Sequence, residues 1–245
     1  MCIRDRDTPY FNSPLLYKEN GFKQKKDAED LVKKLSANGM EATLVASEKK
    51  KEKKAPPMLY NLAELQNDCS SLFKISPSDT LKIVQELYEK KLVTYPRTDA
   101  RVLSTAVAKE IYKNISGLKR YTPMAAYADE VLNMGSYKTI AKTKYVNDKQ
   151  ITDHYAIIPT GQGMGALRGL SEIAANVYEI ICRRFLSIFY PAAEYQKLSM
   201  TLAKQDEFLF ANFKYMLKEG YLKVATNRFA RKKDDTKYSP EFIET

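Results

Sequence analysis

Residues 86–99 read Glu86-Leu87-Tyr88-Glu89-Lys90-Lys91-Leu92-Val93-Thr94-Tyr95-Pro96-Arg97-Thr98-Asp99. The stretch is an amphipathic helix running into a short extended segment. Lys90 and Lys91 carry charges that suit a helix C-terminus, and Pro96 forbids helix and pushes Tyr95 toward an extended conformation. The outcome is a tyrosine presented beside an arginine. A tyrosine hydroxyl can attack a phosphodiester, and a neighbouring guanidinium can hold the phosphate oxygens bidentately. Phenolate leaves more readily than an alkoxide, so a phosphotyrosine link can be reversed by a DNA hydroxyl without ATP. Taken alone, Tyr-x-Arg-Thr also describes an ordinary surface turn.

Upstream, Ser76 as N-cap, Pro77 at the first helical position and Asp79 at the third predict a helix running on through Leu81, Val84, Leu87 and Tyr88. Leu59, Leu62, Leu65, Cys69, Leu72 and Phe73 predict another helix from Met58 onward. Farther back, Asp27 to Leu35 reads as a short helix stopped at Asn38-Gly39, and Met40, Ala42, Leu44 and Ala46 alternate as a strand. The run from Ser47 to Lys54, closed by Ala55-Pro56-Pro57, breaks both periods and reads as a solvated surface linker.

Downstream, Ser104 opens a helix carrying Val107, Ala108, Ile111, Tyr112 and Ile115, whereas Gly117 to Gln150 is weakly patterned and reads as loop. Gly161-Gln162-Gly163-Met164-Gly165 reads as flexible. A long helix spans Ser171 to Phe189 with Pro191 as its stop. Leu198, Met200 and Leu202 alternate, as do Phe208 and Phe210, which predicts a β-hairpin around Lys204-Gln205-Asp206. The order is mixed, then helical, then β, as if a helical domain were inserted into a β-containing one.

Composition narrows the function classes. The 245 residues hold 40 Lys and Arg against 30 Asp and Glu, a net charge of +10, with 44% apolar and 29% charged residues. That is a globular composition, and the positive excess points to a polyanion such as nucleic acid. No apolar run approaches the ~18 residues of a membrane span, and no signal segment opens the chain, so an intracellular protein is the expectation. Three scattered cysteines and a single histidine, His154, exclude a thiolate zinc site and a multi-histidine centre. No GxGxxG or GxxxxGK[ST] is present, so no nucleotide is expected.

The Tyr95-Pro96-Arg97 stretch resembles the active-site signature of type IA DNA topoisomerases of the topoisomerase III-like branch. Ile151-Thr152-Asp153-His154-Tyr155-Ala156-Ile157-Ile158-Pro159-Thr160 is similar to that family's DHHAIIPT segment, with Tyr155 in place of the second histidine. Residues 55–62 and the blocks 183–186 and 190–195 are similar to its flanking blocks, in the same order. The resemblance implies that Tyr95 is the nucleophile and forms a 5′-phosphotyrosine link to single-stranded DNA. Arg97 would steady the scissile phosphate, and His154 would contact DNA nearby with Asp153 orienting its ring. Thr98 and Asp99 would shape the turn or meet phosphate, and Lys90, Lys91 and Arg101 would hold phosphates by charge.

It also implies a multidomain α and β fold. A mostly helical domain over residues 58–185, bearing the nucleophile, would be inserted in a β-rich arch domain. That arch would comprise residues 1–57 and a returning hairpin at 186–228, with a polar tail at 229–245. The family's Mg2+ would be bound by a domain absent from this chain, since Asp5-Arg6-Asp7 follows no apolar strand and lacks the surrounding glycine and glutamate. The chain therefore reads as the central fragment of a monomeric, cytoplasmic, DNA-associated bacterial isomerase that passes one strand through another. The alternative is a catalytically silent remnant that binds single-stranded DNA. A tyrosine recombinase is disfavoured because its basic cluster should precede the tyrosine, whereas His154 follows it.

Overall fold

The computed structural model describes residues 24–36, 42–204 and 206–229. The chain divides into two compact units. One joins the described residues up to Lys54 with Glu194–Lys218, and the other joins Ala55–Ala193 with the described residues from Glu219 to Phe229.

The first unit is a helix on a three-stranded sheet. Helix α1 (Lys25–Ser36) lays Leu31 and Leu35 against Leu198, Leu209, Ala211 and Phe213. Strands β1 (Thr43–Lys54), β2 (Ala193–Lys204) and β3 (Glu207–Lys218) lie in the order β1-β2-β3. Strands β2 and β3 pair antiparallel, with Leu198 opposite Phe213 and Lys204 opposite Glu207. The predicted hairpin is present. Its buried face on β3 carries Leu209, Ala211 and Phe213, while Phe208 and Phe210 are exposed. The predicted stop at Asn38-Gly39 and the start of the first strand at Met40 lie outside the described residues.

The lysine run is a strand and not a linker. Lys49, Lys50, Lys51, Lys53 and Lys54 all belong to β1, an edge strand with nearly every residue exposed. Glu52 bridges Lys197 at 2.7 Å and Lys214 at 3.3 Å, and Lys53 pairs with Glu194 at 3.1 Å. An edge strand wet on both sides needs no apolar alternation, and its lysines discourage pairing with another chain. The sequence period therefore gave no warning of it.

The second unit is helical. Asn61, Ser76, Ser104 and Ser171 cap α2 (Leu62–Phe73), α3 (Pro77–Glu89), α4 (Thr105–Leu118) and α6 (Glu172–Ser187), each accepting a backbone N–H from three residues on. At Ser76 the hydroxyl also donates to Asp79 Oδ2 at 2.7 Å, tying the cap to the side chain in the first turn. Helix α6 is central: it packs against α2, α3, α5 (Thr122–Met134) and the short α7 (Leu222–Ala225), and buries Val177, Tyr178, Ile181 and Phe185.

Two further expectations are corrected here. Met58 to Asn61 is extended rather than helical, with Tyr60 bridged to Ile157. Residues 117–150 are mostly helical rather than loop: α5 (Thr122–Met134) buries Met124, Ala128 and Val131, and 3-10 turns follow at Ser136–Lys142 and Asp148–Gln150. Helix α5 was hard to read because Tyr121 gives no side-chain cap and the buried stripe relies on a small alanine.

Candidate active site

The Tyr95 segment is held by pairing with a stretch far along the chain. Thr94 N–H donates to Ile158 O at 3.0 Å, and Thr160 N–H to Leu92 O at 3.0 Å. The Thr94 hydroxyl both donates to Ala156 O and accepts from Ile158 N–H, each at 3.0 Å. Ala156, Ile157 and Ile158 are almost fully buried, as are Leu92 and Val93. The two extended segments thus share one dry core and cannot slide without breaking this ladder.

The ladder brings Tyr95 to His154. Their ring centroids are 4.4 Å apart with the planes at 45°, and Tyr88 meets the Tyr95 ring edge-on at 5.4 Å. Tyr95 is half-buried, while His154, Arg97, Asp99 and Asp153 are exposed. Thr98 is buried at 7% exposure. Its hydroxyl donates to His154 O at 2.7 Å and accepts from Ala100 N–H at 3.1 Å. Thr98 therefore ties the turn after Tyr95 to the backbone that carries His154. The Asp99 carbonyl accepts from Asn61 Nδ2 at 3.1 Å, and Thr98 O from Leu62 N–H at 3.2 Å, fixing the same turn to the start of α2.

The other expected residues divide. Lys91 stands beside Tyr95 in a cleft of ≈ 540 Å³. Lys90 is engaged with Glu86 at 3.4 Å, and Arg101 with Glu64 at 3.3 Å and with Leu59 O at 3.3 Å. Among the described residues no hydrogen bond links Asp153 to the His154 ring. The ring is placed by its contact with Tyr95 and by the anchored His154 carbonyl.

The glycine turn below the cleft is packed rather than flexible. Gly161 and Gly163 have φ of +75° and +67°. A Cβ at Gly163 would lie 2.3 Å from Lys90 O, and one at Gly161 2.8 Å from Asn114 O. Only glycine permits both the left-handed backbone and the close approach.

Several supporting residues sat unassigned inside the quoted blocks. Arg184 donates to Met58 O at 3.1 Å, to the Tyr60 hydroxyl at 3.2 Å and to Asp68 at 2.8 Å, with its guanidinium 4.1 Å above the Tyr60 ring. The Tyr60 hydroxyl donates to Asp68, and burial pushes its pKa well up. Tyr60 O in turn accepts from Ile157 N–H at 2.8 Å, so this network braces the strand that leads from His154. Its members come from three distant stretches, and only a tyrosine and an arginine at block positions hinted at it. Among the described residues no cluster of three or more His, Cys, Asp and Glu side chains could hold a metal ion.

The sequence model of a family described as DNA topoisomerase matches residues 6–244. DNA topoisomerase 3 of Bacillus cereus (strain ATCC 14579) is 35% identical over 209 residues, covering 84% of this chain and 27% of that relative. DNA topoisomerase 3 of Bacillus subtilis (strain 168) is 35% identical over 201 residues, covering 80% of this chain and 27% of the relative. The chain thus spans about a quarter of the length of these relatives. Full-length topoisomerase I from Thermotoga maritima superposes with a TM-score of 0.59 at 21% identity, over 93% of this chain and 36% of that one, a likeness of fold.

Proposed function

The chain belongs to the DNA topoisomerase family, in its type IA, topoisomerase III-like branch, and on that premise we propose that Tyr95 is the nucleophile of a reversible single-strand breakage. The Tyr95 Oη attacks the phosphorus of a phosphodiester in single-stranded DNA. A bond forms between Oη and phosphorus while the bond from phosphorus to O3′ breaks. The phenolic proton is lost and the departing O3′ takes one up. The 5′-phosphate is then carried on Tyr95. Resealing is the reverse: the 3′-hydroxyl attacks, phenolate leaves, and no ATP is consumed.

The observation that carries this reading is the half-buried Tyr95 ring held against His154, both lining one cleft, on segments locked by the Thr94 ladder. A nucleophile on so fixed a backbone loses little freedom on reaching phosphorus. Exposed Arg97, two residues on, would hold the phosphate oxygens, and His154 would contact the strand beside it. Lys91 would add sequence-independent charge, whereas Thr98 and Arg101 act by holding the turn. Mg2+ chemistry, which the resemblance brings in, has no fitting residues among those described, and every step above uses this chain's own groups.

At the level of domains, the proposal is that the helical unit is inserted in the β-containing one and that together they move as part of a gate for strand passage. The position of Ala55–Ala193 between two pieces of the β-containing unit supports the insertion, and the chain returns to the helical unit at Glu219. The test is covalent capture of end-labelled single-stranded DNA on a denaturing gel. Wild type is compared with Tyr95→Phe, with Mg2+ and the metal-binding part of a topoisomerase 3 relative added in trans. A band for wild type alone is expected. DNA binding without any band would favour the silent binding remnant instead.

A further inference from the structure

The cleft beside Tyr95 has more structure than a nucleophile needs. Tyr88, Tyr95, His154 and Tyr155 supply ring surface to its walls. Tyr88 is 39% exposed although it lies edge-on to Tyr95. Partial burial raises the Tyr155 phenol above its ordinary value, so it remains a neutral donor. Gln162 also lines the cleft and stands between the two left-handed glycines. Gly163 is packed on Lys90 O and Gly161 on Asn114 O, and the Gly161 carbonyl is fixed by Arg120 at 3.2 Å. The Gln162 backbone N–H donates to Thr160 Oγ1 at 3.0 Å, and its carboxamide has no partner among the described residues. The Lys91 ammonium, also on the cleft, has none either.

Aromatic side chains, a donor–acceptor amide on a fixed backbone and a free ammonium make the complement of one nucleotide. Aromatic rings stack on unpaired bases of any identity, a carboxamide can pair with the edge of a base, and a lysine meets phosphate. We infer that this cleft is a nucleobase subsite: it takes one unpaired base of the strand next to the phosphate that Tyr95 attacks. Tyr88 and Tyr155 stack on that base, Gln162 contacts its edge, and Lys91 holds the neighbouring phosphate. The inference rests on the strand-breakage reading for its position along the DNA, while base capture itself can be measured without any cleavage.

The probe is a three-nucleotide single strand with 2-aminopurine in the middle and abasic sugars on both sides, compared with the same strand made wholly abasic. The two carry equal charge, so their difference reports the base alone. Wild type is expected to bind the base-carrying strand roughly tenfold more tightly, the low end of what stacking on aromatic side chains gives, and to quench its fluorescence. Tyr88→Leu is expected to remove both the preference and the quenching while keeping wild-type affinity for the abasic strand, which also reports an intact fold. Gln162→Ala is expected to keep the quenching and lower the preference. Equal binding of the two strands by wild type overturns the subsite, as does a Tyr88→Leu protein that loses affinity for both alike. Covalent capture at Tyr95, run alongside, separates the two claims. Capture without a base preference overturns the subsite and leaves the role of Tyr95 standing. A base preference without capture supports the subsite and counts against that role.

Discussion

Thr98→Val removes one hydroxyl and keeps the side-chain volume. In the folded protein that hydroxyl gives 2.7 Å and 3.1 Å hydrogen bonds to His154 O and from Ala100 N–H, at a residue only 7% exposed. A buried polar group left without its partner costs ~1–3 kcal/mol. The His154 carbonyl belongs to an exposed residue and recovers part of this from water, whereas Ala100 is 8% exposed and its N–H does not. The sum is about 2 kcal/mol. With a urea slope of ~2 kcal/mol per molar, the midpoint followed by far-ultraviolet circular dichroism should fall by about 1 M. Thr98→Ser keeps the hydroxyl and should recover most of that loss. A midpoint lowered by less than about 0.2 M, or Ser behaving like Val, would refute the argument that Thr98 is the strut between the Tyr95 turn and His154.

Arg184→Met should lower stability by about 3 kcal/mol, because Asp68, the Tyr60 hydroxyl and Met58 O all lose their cation and the half-open site softens that only in part; thermal unfolding checks it. Gly163→Ala should cost about 2 kcal/mol or more from its φ of +67° and the 2.3 Å approach to Lys90 O. Gly165→Ala, with nothing within 4 Å, should be neutral in the same melt. Glu130 accepts from Lys223 and from the Tyr190 hydroxyl, each at 2.9 Å, and these hold its carboxyl below the ordinary 4.5, Lys223 contributing most. Its folded pKa is depressed, so its stabilisation is present above pH 4.5 and fades as pH falls through the lower folded value. The stability-versus-pH curves of wild type and Glu130→Gln should therefore converge below pH 4.5, and curves that stay parallel would remove Glu130 from that account.

Local chemistry was legible where it is self-contained. Ser76-Pro77-x-Asp79, Ser104 and Ser171 announced their helices because a cap needs only residues three apart. The alternation from Leu198 to Leu202 announced a strand. Elements stabilised by distant partners were not legible. Strand β1 is held through Glu52 and Lys53 by residues on β2 and β3, and the glycines at 161 and 163 are demanded by carbonyls on α4 and at the end of α3. The site shows the same division. Tyr95, Arg97 and His154 stood out as residue types, but their meeting depends on Thr94 bonding to Ala156 and Ile158. Tyr88 and Gln162 gave no signal of their own, since an exposed tyrosine or glutamine is ordinary until a cleft is seen beside it.

The most direct measurement of the central claim is the position and polarity of the covalent link. Single-stranded DNA labelled at either its 3′ or its 5′ end would be captured with Mg2+ and the metal-binding part of a relative supplied in trans, and the adduct digested and mapped by mass spectrometry. The account predicts that only the 3′-labelled fragment stays on the protein, attached through its 5′-phosphate to the peptide containing Tyr95. Retention of the 5′ label, or attachment at any other residue while Tyr95 remains unmodified, would contradict it.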